Sequence, residues 1–304
     1  MKNLKKKALV PAIAMVLASV IALSGVTYAW FTTGNTATVE TLNVNVQTAN
    51  GIQVSLDAES WRSIITAEDI EEAVKNTNLL VQYPKTSIVP VSSAGNVTNG
   101  RLELFLGNYR EDDGNLKSTA LEDTRATENV NYVAFDLYFQ SSMEQDLTLN
   151  IGPSASYVKG VALKEGRNEK AGAEKAVRVA LLPMGTYNEE VDESPLALTG
   201  DGTCYIWEPN ATERADGVNV DKGNKVPYSG FKTTFESVAE AELGDSEVSP
   251  VETFIGDQKI ITLQPGISKV RVYIWLEGQD VDCINNISFG DFCVNLLFSV
   301  PKKG

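Results

Sequence analysis

The sequence contains no histidine, and this absence removes more chemistry than any single residue supplies. Ser-His-Asp and Cys-His relays need an imidazole to carry the proton. The HExxH zinc-protease helix needs two histidines, and His-ligated metal sites need at least one. Cysteine is nearly as scarce, with three residues, Cys204, Cys283 and Cys293. Three are too few for a disulfide scaffold, and an odd number leaves one without a partner inside the chain. Cys283 and Cys293 are close enough in sequence for a local bridge, which would stabilise by about 2–3 kcal/mol through loop closure. Three reduced, structural thiols are the equal alternative. No GxGxxG or GxxxxGK[ST] phosphate loop occurs. Carboxylate pairs could still do acid–base chemistry, but 40 acidic residues bring pairs together by chance and single out none. The expectation is a non-enzymatic chain with no cofactor and no metal.

Charge is also distributed by omission. Residues 1–29 hold no acid, and residues 8–25 hold no charge at all. Four lysines precede that apolar run, and Thr27 and Ala29 place small side chains at the −3 and −1 positions of a cut after Ala29. This is the layout of a secretory signal peptide. The run also reaches the roughly 20 residues that span a bilayer, so an uncut anchor is the alternative. No cysteine closes the run, which argues against lipoprotein processing, and no early glutamate marks a prepilin leader. The expected product is secreted or cell-surface associated, meets signal peptidase during export, and touches the membrane only through an uncleaved leader. The net charge is −14 and becomes four units more acidic without residues 1–29. Such a surface argues against nucleic acid, whose binding rests on Lys and Arg at phosphates, and suits a soluble exported protein.

What remains has mostly the strand period of two. "YVAFDLYFQ" puts Val133, Phe135, Leu137 and Phe139 on one face, and "DLTLNIG" continues with Leu147, Leu149 and Ile151. Residues 132–151 therefore read as a hairpin turning at 141–145. "AVRVALLP", "KVRVYIWLEG" and "DFCVNLLFSV" repeat the alternation, and the last two read as a paired antiparallel hairpin, 269–277 with 291–299. One-sided alternation means antiparallel sheets with one buried and one wet face. The fold class is all-β: an antiparallel, jelly-roll-like β-sandwich with one short helix and long loop insertions. The helix is "TAEDIEEAVKN", with Thr66 as N-cap and Asp69 completing a capping-box variant. Residues 107–130 and 158–175 read as polar loops, and 187–255 as the largest insertion.

Two stretches within this frame invite a functional reading. "CYIWEPN" offers Tyr205 and Trp207 to a ligand, or else pairs at a sheet edge with Trp207 in the core. "EGQDVDCINN" groups Glu277, Asp280, Asp282 and Asn285 like the start of a calcium loop. It lacks the loop's glycine and terminal glutamate, so a turn with exposed acids is the expectation.

The segment behind the cleavage site carries the sharpest expectation. Residues 30–46 contain a single charge, Glu40, and Trp30, Phe31, Val39, Leu42, Val44 and Val46 supply apolar bulk. Left exposed, such a segment is an aggregation hazard, and it is a good donor for strand addition. "TYAWF" followed by "ATVETLNVNV" resembles the TasA/camelysin group of exported Firmicute proteins, which form biofilm-matrix fibres. Thr27, Tyr28, Ala29 and Phe31 match that group's junction, and Thr41, Leu42 and Val44 match its first strand. The likeness covers residues 1–46. It implies a jelly-roll sandwich whose freed N-terminal strand inserts into the next subunit, so that the partner is a second copy of the chain. Camelysin-type proteins have been classed as peptidases, but a chain without histidine gives that activity no support. The organisation expected is a signal peptide at 1–29, a donor strand at 30–46 and one sandwich domain over 47–304. Two alternatives stand beside it. One is an ordinary hairpin over 36–56 turning at Asn50 and Gly51. The other is a surface binding module, an adhesin or glycan binder, using the 187–255 loops.

Overall fold

The structure, a computed structural model, describes residues 42–85, 88–93, 95–109, 116–128, 130–160, 173–210, 234–235, 253–278, 280, 283 and 292–302. The chain is all-β apart from short helical turns. Its first strands are β1 (Leu42–Ala49), β2 (Gln53–Ser55) and β3 (Ile64–Ile65), followed by the helix α1 (Ala67–Ala73). Next come β4 (Val97–Thr98), β5 (Arg101–Leu102), β6 (Leu104–Tyr109), β7 (Leu116–Leu121), β8 (Val133–Ser141), β9 (Gln145–Leu149) and β10 (Tyr157–Gly160). The remainder are β11 (Val177–Thr186), β12 (Tyr205–Trp207), β13 (Thr234–Phe235), β14 (Thr253–Phe254), β15 (Gln258–Leu263), β16 (Gly266–Leu276) and β17 (Phe292–Ser299).

Two six-stranded sheets carry the fold. Sheet A runs β15-β9-β17-β1-β3, with β10 also on β17, and sheet B runs β14-β12-β11-β16-β8-β2. One core lies between them, with Val44, Val46, Leu147, Val294 and Phe298 from sheet A against Val54, Phe135, Phe139, Val179 and Ile274 from sheet B. Phe139 and Phe298 meet edge-on across it at 5.2 Å between ring centroids.

Antiparallel pairing is not universal. β1 runs parallel to β17 from Leu42↔Phe292 to Ala49↔Ser299, and β12 runs parallel to β14. Both expected hairpins are also corrected. β8 and β9 belong to different sheets, as do β16 and β17. Each strand has one strongly apolar face, and arching over from one sheet to the other lets successive strands bury those faces against each other. At the first arch the Ser141 hydroxyl accepts from Met143 N and from Gln145 Nε2, turning the chain without a tight two-residue loop. The turn at Asn50 and Gly51 exists, with φ of 62° and 86°. It too joins sheet A to sheet B, so β1 and β2 do not form a hairpin.

The outer face of sheet B is not wet. Ala134, Ala180, Leu182, Met184, Ile206, Tyr273 and Trp275 form a second core there with Val91, Leu102 and Leu104. A covering layer makes this possible: Gln82 bridges to Ala134, Val91 N donates to Leu276 O, and Ser92 exchanges backbone bonds with Phe105. That layer includes β6 and β7, so the 107–130 segment is not all loop. The helix follows expectation. Thr66 caps α1, its side chain accepts from Asp69 N, the Asp69 carboxylate returns to Thr66 N, and Ile70 is buried.

Candidate assembly site

β1 is a strand by composition, "LNVNVQTA", with Val44 and Val46 pointing inward and Asn43 and Gln47 outward. Both valines are fully buried. Among the described residues its one full-length neighbour is β17, roughly 250 positions away in sequence, and β3 pairs with it at Val46 and Gln47. Its far end is pinned. Asn50 Nδ2 donates to Val300 O at 2.6 Å, and Thr48 N donates to Ser63 O at 2.9 Å. Of the expected assembly residues, the structure therefore brings Val44 and Val46 into the chain's own core. Leu42 lies in the strand opposite Phe292. Trp30, Phe31 and Val39 lie outside the described residues, as do Thr27 and Ala29 of the cleavage signal.

The aromatic candidates take structural places. Trp207 is 1% exposed in the main core and Trp275 is 1% exposed in the second core, while Tyr205 is half-buried. Glu277 and Asp280 are buried, which corrects the exposed-acid expectation; Asp282 and Asn285 lie outside the described residues. The cause is Arg178. Its guanidinium is fully buried, pairs with Asp280, and reaches Glu208 Oε1 at 2.9 Å. Trp275 Nε1 donates to Glu277 Oε2 at 3.0 Å, and Thr253 donates to Glu208 Oε2 at 3.0 Å.

A second ionic cluster sits on β8 and β16, and no motif announced it. Arg271 bonds Asp123 Oδ2 through Nη2 at 2.7 Å and Asp136 Oδ1 through Nη1 at 2.8 Å. Tyr132 and Tyr273 donate to the two Asp123 oxygens at 2.9 Å and 2.6 Å. Lys269 pairs with Asp136 Oδ2 at 3.2 Å and donates to Leu196 O and Leu198 O. Burial lowers the Lys269 ammonium from its ordinary range, and Asp136 opposes that shift. Burial raises the hydroxyls of Tyr132 and Tyr273. The two carboxylates converge, but each oxygen is held by a cation or a tyrosine, which is the signature of a stabilising network. The available signal was cross-strand: Asp136 faces Arg271 in register, and Tyr138 faces Lys269.

Cys204 and Cys293 are free thiols. Burial pushes Cys204 up to about 12, and desolvation also raises Cys293, with Lys159 acting the other way. Low thiolate content makes both poor nucleophiles at neutral pH. Among the described residues, no group of three or more Cys, Asp or Glu is arranged to hold a metal ion. No family model, no curated protein and no solved structure matches this chain.

Proposed function

We propose that the chain is an exported, non-enzymatic structural protein, a jelly-roll-like sandwich that assembles with copies of itself into an extracellular or biofilm-matrix fibre. Residues 30–46 are the assembly strand. The observation that carries this reading is the seat of β1, which fills a groove beside β17 while its connection at Asn50 and Gly51 leads into the other sheet. A strand held in this way can leave without unthreading anything, and the same strand from a second copy restores every contact it made. Exchange of identical elements is a low-cost route to assembly, and main-chain bonds with buried alternate side chains supply its affinity.

The parallel register provides the test. Asn43 faces Cys293 across β1 and β17, on the outer face of sheet A. Adjacent strands lie about 4.8 Å apart, inside disulfide range. Asn43→Cys, oxidised in the monomer before assembly, should lock β1 in place and stop fibre growth until reductant is added. Oxidised after assembly, the same variant should run as a covalent ladder on a non-reducing gel. Monomer bands alone from preformed fibres would end the strand-exchange reading.

A second reading, a surface binding module, draws on an open groove of about 660 Å³ where the 187–255 insertion begins. Tyr187, Asn188 and Glu189 line it with Gln264, Pro265 and Ile267. This reading leads if the purified mature protein stays monomeric under electron microscopy at every concentration tried.

A further inference from the structure

The sequence holds two Asn-Gly pairs, Asn50-Gly51 and Asn99-Gly100. This dipeptide carries a reaction of its own. The glycine nitrogen, once it has lost its proton to base, attacks the asparagine Cγ, and the missing glycine side chain leaves that nitrogen unhindered. Both pairs form turns with positive φ, 62° and 86° in the first and 52° and 72° in the second. Their surroundings differ. Asn50 and Gly51 are exposed, and a Cβ added to Gly51 would meet nothing within 4 Å. Gly100 is buried, and a Cβ there would stand 2.7 Å from Thr199 O. The first turn has room for ring closure and for the water that must follow it, whereas the second is walled in on its glycine side.

Asn50 is also a fastening. Its Nδ2 donates to Val300 O at 2.6 Å, just past the point where the β1–β17 register ends at Ala49↔Ser299. The bonds of Thr48 at this end of β1 lead elsewhere, from N to Ser63 O at 2.9 Å and from Oγ1 to Ile52 O at 2.9 Å. The Asn50 carboxamide therefore ties the turn after β1 to the residue after β17.

We infer that Asn50 is a site of spontaneous deamidation and that the reaction unlatches β1. Gly51 N bonds to Asn50 Cγ, the Cγ–Nδ2 bond breaks, and the nitrogen leaves as ammonia. Water then opens the cyclic imide at one of its two carbonyls. Opening at Cγ gives aspartate, and opening at the main-chain carbonyl gives isoaspartate. The atom that leaves is the donor to Val300 O. A carboxylate has no donor to put in its place, so two acceptors face each other and the tie is lost. Isoaspartate in addition lengthens the main chain by one carbon at the turn that joins the two sheets. Either product makes it easier for β1 to leave its seat. The turn is then a one-way release for the strand exchange proposed above, a consequence that rests on that reading.

The purified protein, held at mildly alkaline pH where the Gly51 amide loses its proton more readily, tests the chemistry by peptide mass mapping. Residue 50 should accumulate aspartate and isoaspartate with time, ahead of residue 99. The product is also made directly as Asn50→Asp and compared with the parent monomer by hydrogen exchange. The β1 amides of the variant should open about tenfold more often, the worth of one hydrogen bond. The β16 amides should keep the protection of the parent, which separates release of one strand from general unfolding. Both measurements are made on the monomer, so they stand whether or not fibres form. A residue 50 that stays asparagine through the incubation, or β1 amides equally protected in Asn50→Asp and the parent, would overturn the inference.

Discussion

β16, in the middle of sheet B, is paired antiparallel on both sides along most of its length, with β11 and with β8. β1, in sheet A, has one full-length partner among the described residues and a two-residue contact with β3. The difference extends to the faces. Sheet B is buried on both, by the main core and by the second core, and its outer face carries the Arg271 and Arg178 networks. Sheet A buries one face, and Asn43 and Gln47 of β1 look outward. Sheet B is thus the frame, insulated and cross-braced. β1 has less pairing on one side and one wet face, and since local stability follows buried contacts and shielded backbone bonds, it is the strand on which the proposed exchange would act.

The largest test of this contrast is in the frame. Arg271→Met should destabilise by about 3–5 kcal/mol, because it leaves the buried Asp123 and the half-buried Asp136 without their shared cation. Urea denaturation measures it, and a loss under about 1 kcal/mol would mean that water replaces the guanidinium and the frame is less dry than described. Phe298→Ala should cost a similar amount, about 3–5 kcal/mol, through lost burial and the cavity left against Phe139. That change is in sheet A, yet it removes a contact on which both sheets close, so it should lower stability without loosening β1 selectively. Hydrogen exchange separates the two effects: β1 amides should remain no less protected, relative to the global value, than in the parent.

Val44→Asp comes next and is aimed at β1 alone. Val44 is fully buried in the closed monomer, so a carboxylate there loses about 2 kcal/mol of apolar burial and must desolvate or take a proton. The monomer should melt several degrees lower. An unchanged melting temperature would place β1 outside the monomer core in solution and make residues 42–46 a free donor.

Much of this was legible in the sequence as elements and little of it as pairing. Period two located β8, β11, β16 and β17, because inward residues such as Val270, Val272 and Ile274 must alternate on a pleated strand. Thr66 and Asp69 announced α1 through their reciprocal bonds. Alternation says which side faces a core but not which strand lies alongside, so two arches were read as hairpins. The wet-face reading failed for a reason visible in hindsight. The outward positions of β16 hold Tyr273 and Trp275 beside Lys269 and Arg271, and large aromatics in that row signal a covering layer. The buried ion pairs follow from that layer. Their partners Asp123 and Glu208 lie far from Arg271 and Arg178 in sequence, and no local spacing could join them.

The smallest expected effect belongs to Asp57, on the strap between β2 and β3. Partial burial acts to raise its pKa, but hydrogen bonds outweigh it. The Ser55 hydroxyl donates at 2.6 Å, and the amides of Ser60 and Glu59 donate at 2.7 and 2.9 Å. The result is a carboxylate held down at about 2. A group depressed in the folded state adds stability that is fully present above its unfolded pKa and is lost as pH falls through the folded one. For Asp57 that window runs from about pH 4 down to about pH 2. Asp57 is mostly exposed, so solvent screens the contribution and it should be slight beside the Arg271 network. Asp57→Asn keeps the shape of the turn and removes the charge. Its urea midpoint should lie a little below that of the parent at neutral pH, and the two should converge as the pH approaches 2. A gap that stays constant across that range would assign the difference to the acceptor oxygen lost with the amide, with the carboxylate charge contributing nothing.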